Sequence, residues 1–294
     1  KLQIVIPMSG FGERFRKAGY ELPKPLIQVE SKPIISHVVD LFNDSGRLAY
    51  ICNSEHLSVP EFKMKDVLAG LRENSEIYEI QPHKRGPVHA VLEIAEKLDP
   101  DDEVIINYAD FTCVWSFEQF LLDVRLRDLD GSVPSYRGFH PHSGGNTNYA
   151  YIREVEGLLK EIREKQPFTT TKVEEFASTG TYYFRTAEIM RHYFEKLVSA
   201  EISVNGEFYV SSAYDLMAKD GLKVGVYEVS HFMQWGTPED LAEYVFWSDA
   251  FRRLAGTRRQ NAAITGTGNL AVLASGRVVA FPTSATKFQS PSCP

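Results

Sequence analysis

Apolar residues in the first part of the chain fall into short continuous runs, separated by stretches of helical spacing. Leu2–Met8 is an apolar run that ends in a glycine-containing turn, and Leu48–Cys52, Glu76–Ile80 and Glu103–Asn107 read as three further strands. Between them, Pro33–Phe42 carries Ile34, Ile35, Val38, Val39 and Phe42 at helical intervals. Val88–Leu98 does the same with Val88, Val91, Leu92, Ala95 and Leu98, while Met64–Leu71 and Phe117–Arg125 read as further helices. Short apolar runs bounded by turns predict buried strands, and i, i+3, i+4 spacing predicts the helices that cover them. Regular strand–helix alternation predicts an α/β sandwich around a mostly parallel sheet. Ligands of such sheets bind beyond the carboxyl ends of the strands.

The pattern changes near residue 131. Gly138–Asn148 is rich in Gly, His, Ser and Asn and reads as a loop. Tyr149–Glu154, Leu158–Arg163, Thr179–Arg185 and Val224–Val229 read as strands, with helices over Glu188–Leu197, Ser211–Ala218 and Pro238–Leu254. Residues 1–255 are therefore expected to form one domain with halves 1–130 and 131–255. Residues 256–294 are rich in small residues, lack periodicity and read as an extension of unassigned role.

Length and composition narrow the class. A chain of 294 residues with 43% apolar content can bury a substantial core. A formal net charge of −7 argues against a nucleic-acid partner, because no basic surface is available to displace counterions from a phosphate backbone. Anionic ligands would then depend on locally placed cations. Cys52, Cys113 and Cys293 are widely scattered without metal-binding spacing, which predicts reduced thiols and a cytoplasmic setting. No apolar run approaches the ~18 residues of a membrane span, so no membrane insertion is expected.

Two segments carry candidate chemistry. In Ile6–Phe15, IPMSGFGERF, Gly10 and Gly12 allow the backbone to approach a polyphosphate, and Arg14 offers a planar fork of donors. A tight strand-to-helix turn with a solvated Arg14 fits the same residues. Phe15 replaces the third glycine of a dinucleotide fingerprint, and the Walker pattern is absent. In Leu22–Ile34, Pro23 and Pro25 bracket Lys24, which is expected to sit on extended, restrained backbone. An exposed lysine in a proline-rich loop is the alternative.

Together these segments resemble the opening of the sugar-phosphate nucleotidyltransferase family: Gly-x-Gly-x-Arg, then Pro-Lys-Pro-Leu, then Lys-Pro-Ile. The wording IPMSGFGERF and GYELPKPLI looks closest to its branch found with capsule and surface-polysaccharide genes. The resemblance implies a three-layer sandwich with a mixed, mostly parallel sheet. It implies an enzyme that joins an NTP to a small phosphate monoester, a sugar 1-phosphate above all, using Mg²⁺ and releasing pyrophosphate. Residues 1–130 would hold the nucleotide and 131–255 the acceptor.

Carried onto this chain, the resemblance makes Arg14 and Lys24 catalytic and sets Met8, Ser9, Gly10 and Gly12 around the nucleotide. QPHKRGPVHAV resembles the base-recognition stretch, so Gln81 and Gly86 would meet the base. INYADF matches the strand-end aspartate and makes Asp110 a nucleotide and Mg²⁺ residue. REKQ matches a Glu-Lys-Pro element, with Glu164 on acceptor hydroxyls and Lys165 on the acceptor phosphate. STGTYYF and GEFYVSSAYDLM would add Gly180, with Thr179, and Glu207 to the acceptor pocket, together with Asn148.

The chain departs from the family in four places: Ser9 for Gly, Glu13 for Ser or Thr, Gln166 for Pro, and Gln234 in QWGTPEDL for the second metal aspartate. Glu13 is expected to point away from the triphosphate. An amide oxygen ligates Mg²⁺ without charge and more weakly, so Asp215 is an alternative source of the second carboxylate. A cytidylyltransferase acting on a non-sugar phosphate such as phosphocholine stays open, as does a non-catalytic regulatory relative and a homo-oligomeric state. A glycosyltransferase would want Asp-x-Asp, and Tyr108-Ala109-Asp110 offers only its last carboxylate.

Overall fold

The computed structural model describes residues 1–73, 75–138, 140 and 149–265, with two short strand pieces at 271–272 and 278–279, and side chains as far as residue 255. The chain divides into two compact units, Lys1–Glu243 and Tyr244–Pro294. In order, the first unit runs β1 (Leu2–Met8), α1 (Glu13–Lys17), β2 (Gln28–Val29), β3 (Lys32–Pro33), α2 (Ile34–Val39), β4 (Arg47–Asn53), α3 (Ser54–Leu57), α4 (Met64–Leu71) and β5 (Glu76–Ile80). It continues with α5 (Pro87–Leu92), β6 (Glu103–Asn107), β7 (Phe111–Val114), α6 (Phe117–Leu126), β8 (Gly131–Tyr136), β9 (Ala150–Val155) and β10 (Leu158–Glu164). It closes with β11 (Phe176–Ser178), β12 (Thr181–Phe184), α7 (Ala187–Ser199), α8 (Val210–Lys219), β13 (Val224–Glu228), β14 (His231–Gln234) and the start of α9 (Pro238–Thr265).

Ten strands form one sheet in the order β11-β9-β10-β13-β8-β12-β6-β1-β4-β5. The block β6-β1-β4-β5 is wholly parallel, because each crossover runs through helices. The expectation of mostly parallel pairing holds for this half. Among the described strands of the second half only β8 and β13 pair parallel, and the remaining pairings are antiparallel. One cause is local: Glu156 and Gly157 both have positive φ, the two-residue hairpin geometry that folds β10 straight back on β9.

Strand β12 shows how both faces are covered. Tyr182 and Phe184 join the core formed with α5, α7 and α8, through Val91, Met190, Phe194 and Tyr214. Tyr183, between them, points to the other face, where Phe120 of α6 packs edge-on against it and against Tyr227 of β13. Alternation along one strand therefore feeds two helical layers, as in a three-layer sandwich. Cys52 and Cys113 are buried free thiols.

Two sequence expectations change, and one strand carries no apolar signal. The strand expected over Thr179–Arg185 is present but shorter, Thr181–Phe184, because Gly180 at φ +97° sets it off from β11. The Val88–Leu98 helix breaks after Leu92, with Ile94 at φ −115° leading into a 3-10 turn. Strand β8, GSVPSY, is fully buried although it has no apolar run. Its Pro134 lies opposite the break after β11, where the Thr179 N–H and hydroxyl both donate to the Pro134 carbonyl at 3.0 Å.

Candidate active site

The chain turns in opposite directions from β1, to β4 on one side and β6 on the other, so a crevice opens beyond their carboxyl ends. The loop after β1 delivers the glycines and Arg14. Gly12 is in the left-handed region, φ 63° and ψ 29°, and launches α1, which carries Arg14. Gly10 has open space where a Cβ would stand. Glu13 is turned outward and pairs with Lys84 at 2.6 Å, which holds its carboxyl below the usual range.

Lys24 begins a 3-10 turn, Lys24–Leu26, instead of lying in extended chain. Pro23 is extended, but the Leu26 N–H closes onto its carbonyl at 2.8 Å. Lys24 Nζ donates to Asp110 Oδ2 at 2.7 Å, with the two side chains 25% and 27% exposed. Asp110 lies just beyond β6. The pair β7–β14 then brings the closing segment alongside, with Gln234 opposite Phe111 and the Trp235 N–H donating to the Asp110 carbonyl at 2.7 Å.

Two cavities meet at this ion pair. One, of about 300 Å³, is walled by Met8, Ser9, Gly10, Gly12, Gly86 and Glu207. The other, of about 260 Å³, is walled by Arg14, Glu164, Lys165, Thr179, Gly180 and Gln234. Lys24, Asp110, Tyr108 and Tyr209 line both. Arg14, Lys24, Asp110 and Lys165, drawn from four separated segments, therefore share one cleft.

In the second cavity, Ser211 Oγ donates to Glu164 Oε2 at 2.6 Å, and burial raises the Glu164 carboxyl above the ordinary range. Lys165 has positive φ, 60°, and its N–H donates to the Tyr149 carbonyl at 2.8 Å. Its ammonium donates to Tyr209 Oη at 2.6 Å, and that hydroxyl donates to Glu207. Glu207 thus stands in the first cavity and reaches the second only through Tyr209. Gly180 packs against Tyr108 and Phe111; an added Cβ would lie 3.0 and 3.2 Å from their rings.

Other positions fall elsewhere. Gln81 is exposed beyond β5, meets Ser54 Oγ at 3.4 Å, and is not among the residues lining either cavity. Asn148 lies outside the described residues. Asp215 pairs with Lys219 on α8 at 2.6 Å and is not at the cleft. Gly86, at φ +87°, is glycine because of Phe208: a Cβ there would stand 2.7 Å from the Phe208 backbone N and O.

The carboxylate that the sequence reading passed over is Asp240. A Cβ on Gly236 would lie 3.5 Å from Asp110 Oδ2, 3.7 Å from Asp240 Oδ2 and 4.0 Å from Gln234 Oε1. Three oxygens therefore ring a space kept open by the glycine, a donor set suited to Mg²⁺. Burial raises the Asp240 carboxyl, hydrogen bonds from Thr237 and Gln234 oppose this, and the Asp110 charge adds to the rise. The Thr237 N–H and hydroxyl donate to Asp240 Oδ2 at 3.1 and 2.8 Å. That bonding is also a helix cap, which is why the sequence alone offers only a capping role.

A family model described as "Nucleotidyl transferase" matches residues 4–235, which hold the cleft residues named above apart from Gly236, Thr237 and Asp240. The chain belongs to the nucleotidyltransferase family. The chain is 23% identical over 269 residues to the bifunctional protein GlmU of Methanococcus maripaludis strain C7, across 90% of its own length and 59% of the relative's. It therefore spans less than two thirds of that relative. Among solved structures it resembles a nucleoside-diphosphate-sugar pyrophosphorylase from Vibrio cholerae RC9, with TM-score 0.66, 20% identity, and 82% and 98% of the two chains covered. It also resembles a UTP-bound UGPase from Acinetobacter baumannii, with TM-score 0.64, 18% identity, and 86% and 98% covered. At these identities the structural likenesses establish the α/β fold with a mixed central sheet.

Proposed function

We propose that the chain transfers a nucleoside monophosphate from an NTP to a phosphate monoester, a sugar 1-phosphate first among the candidates, and releases pyrophosphate. The observation that carries this reading is the Lys24–Asp110 pair at the wall shared by two cavities, with a glycine loop on one side and Arg14 and Lys165 on the other. The Vibrio cholerae neighbour, described as a nucleoside-diphosphate-sugar pyrophosphorylase, supports a sugar-phosphate acceptor, and the UTP-bound Acinetobacter baumannii neighbour supports an NTP as donor. The wording of the first motif supports a place in activated-precursor synthesis for surface polysaccharide, in the cytoplasm.

In this reading an acceptor phosphate oxygen attacks the α-phosphorus in line and pyrophosphate leaves. Both reactants are anions, and two unit charges ~4 Å apart repel by roughly 4 kcal/mol at an effective dielectric near 20. Lys24 offsets charge at the α-phosphate, Arg14 holds phosphate oxygens, and Lys165 holds the acceptor phosphate. Glu164 accepts from acceptor hydroxyls. Asp110, Gln234 and Asp240 would hold Mg²⁺, which when bound neutralises phosphate charge and orients the triphosphate. No covalent enzyme intermediate is needed, because a phosphate monoester is largely dianionic near neutral pH and is itself the nucleophile. Rate enhancement comes from positioning and charge stabilisation.

A second reading has its own observation. The acceptor cavity is walled by Tyr108, Tyr149, Tyr182, Tyr209, Phe111 and Phe232 around Glu164, an environment that favours a cationic acceptor head group. The deciding experiment incubates the full chain and Mg²⁺ with each NTP and a panel of sugar 1-phosphates plus phosphocholine, and measures pyrophosphate. Release with a sugar 1-phosphate supports the first reading, and release with phosphocholine alone supports the second. A folded chain that releases none with any pair would make it a non-catalytic relative.

A further inference from the structure

Away from Asp110, a second group of metal-binding side chains converges. His89 and Glu93 stand four residues apart, and Glu93 keeps right-handed helical geometry, φ −62° and ψ −22°, at the end of α5, so both share a face. His83 approaches from the turn after β5, which Gly86 folds back by its positive φ. The His83 Nε2 atom lies 3.6 Å from Glu93 Oε1, and the two imidazole centroids are 5.4 Å apart. One ligand atom from each of the three residues lies within 4.8 Å of the others.

Two ligands on one tetrahedral Zn²⁺, each ~2.0–2.1 Å from it, are about 3.3–3.4 Å apart. Small side-chain shifts would close the trio onto one ion. His83 Nε2 and His89 Nδ1 are buried and have no hydrogen-bond partner. A simple His83–Glu93 ion pair would leave His89 out, whereas one shared cation takes a nitrogen from each ring.

We propose that His83, His89 and Glu93 bind a transition-metal ion of the Zn²⁺ class, separate from the Mg²⁺ ligands of the cleft. Two imidazoles and one carboxylate are a donor set that prefers such ions to Mg²⁺. Three protein ligands leave a fourth position for water or a ligand. Ligation through His83 Nε2 moves its proton to Nδ1, which now accepts from the exposed Arg85 N–H at 3.2 Å. That N–H turns to water. The ion would tie the turn at His83, which lines the nucleotide cavity, to α5.

The test titrates chelator-stripped full chain with Co²⁺ and Zn²⁺ in excess Mg²⁺, read by cobalt absorption and equilibrium dialysis. Wild type and Asp110→Asn are expected to bind one equivalent. His89→Ala and Glu93→Gln should bind it at least about 10- to 100-fold more weakly, the loss that removing even an outer-shell partner of a metal ligand causes. Glu93 is exposed, so Glu93→Gln keeps the fold. Absence of binding to wild type overturns the site. Equal affinity in all four proteins, or loss only in Asp110→Asn, also overturns it by locating the ion elsewhere.

Discussion

Gly10 and Gly86 line the same cavity, yet the structure gives them opposite reasons to be glycine, and two alanine substitutions separate those reasons. At Gly86 the conformation, φ 87° and ψ 176°, is one that other residues occupy at a cost of about 1–3 kcal/mol. The new Cβ would also stand 2.7 Å from the Phe208 backbone N and O, which cannot swing aside as a side-chain end can. Overpacking of that kind adds about 1–3 kcal/mol. The sum, about 2–6 kcal/mol, should lower the melting temperature by roughly 4–24 °C, at about 2–4 °C per kcal/mol for a domain of this size. It should also strain two hydrogen bonds, Phe208 N–H to Arg85 O and Val88 N–H to Phe208 O. At Gly10 a Cβ meets nothing within 4 Å. Gly10→Ala should leave stability unchanged or raise it by about 0.4–1 kcal/mol. If a triphosphate approaches that backbone, the added methyl should weaken NTP binding by about 1–3 kcal/mol, roughly 5- to 150-fold in KM. Thermal melting and pyrophosphate-release kinetics measure both. An unchanged KM in Gly10→Ala refutes the phosphate loop, and a wild-type melting curve for Gly86→Ala refutes the Phe208 contact.

Lys24→Ala should reduce turnover by about 10²–10³-fold, the loss typical of one preorganised charge-stabilising donor. Its partly exposed pair should contribute no more than about 1 kcal/mol to stability, so near-normal turnover in a folded variant rejects its catalytic role. Asp240→Asn should raise the Mg²⁺ concentration needed for half-maximal activity. A lowered melting temperature with an unchanged Mg²⁺ curve would make Asp240 only a cap of α9. Tyr209→Phe removes the 2.6 Å bond to Lys165 and should raise KM for the acceptor by about 3- to 10-fold, roughly one hydrogen bond, with turnover nearly kept. Unchanged acceptor KM would separate Tyr209 from phosphate binding. Burial raises the Glu164 carboxyl, so the folded state holds its proton to higher pH than the unfolded chain does. Its stabilising contribution is present in acid and is lost as pH rises from the ordinary carboxyl value through the raised one. Melting temperatures of Glu164→Gln should therefore gain on wild type from acid toward neutral pH; parallel curves would contradict this.

By itself the sequence determined the parallel half of the sheet and the chemistry nearest to it. Strands β1, β4 and β6 are buried on both faces, so they must be apolar runs, and such runs are visible without coordinates. Gly10, Arg14, Lys24 and Asp110 follow those strands or lie close in sequence, so spacing alone exposed them. The second half was less legible because its contacts join distant residues. Strand β8 is built from GSVPSY and has no apolar signal; its Ser and Pro are accommodated by partners on β11, β12 and β13. Only the tertiary structure decided that Asp240, and not Asp215, stands beside Asp110, since both are ordinary helix carboxylates until β14 pairs with β7. Likewise, only folding revealed that Gly86 yields its Cβ space to the Phe208 backbone. Local pattern reports which residues must be buried or bent. Which side chains converge depends on strand pairings across more than a hundred residues, and no local window contains them.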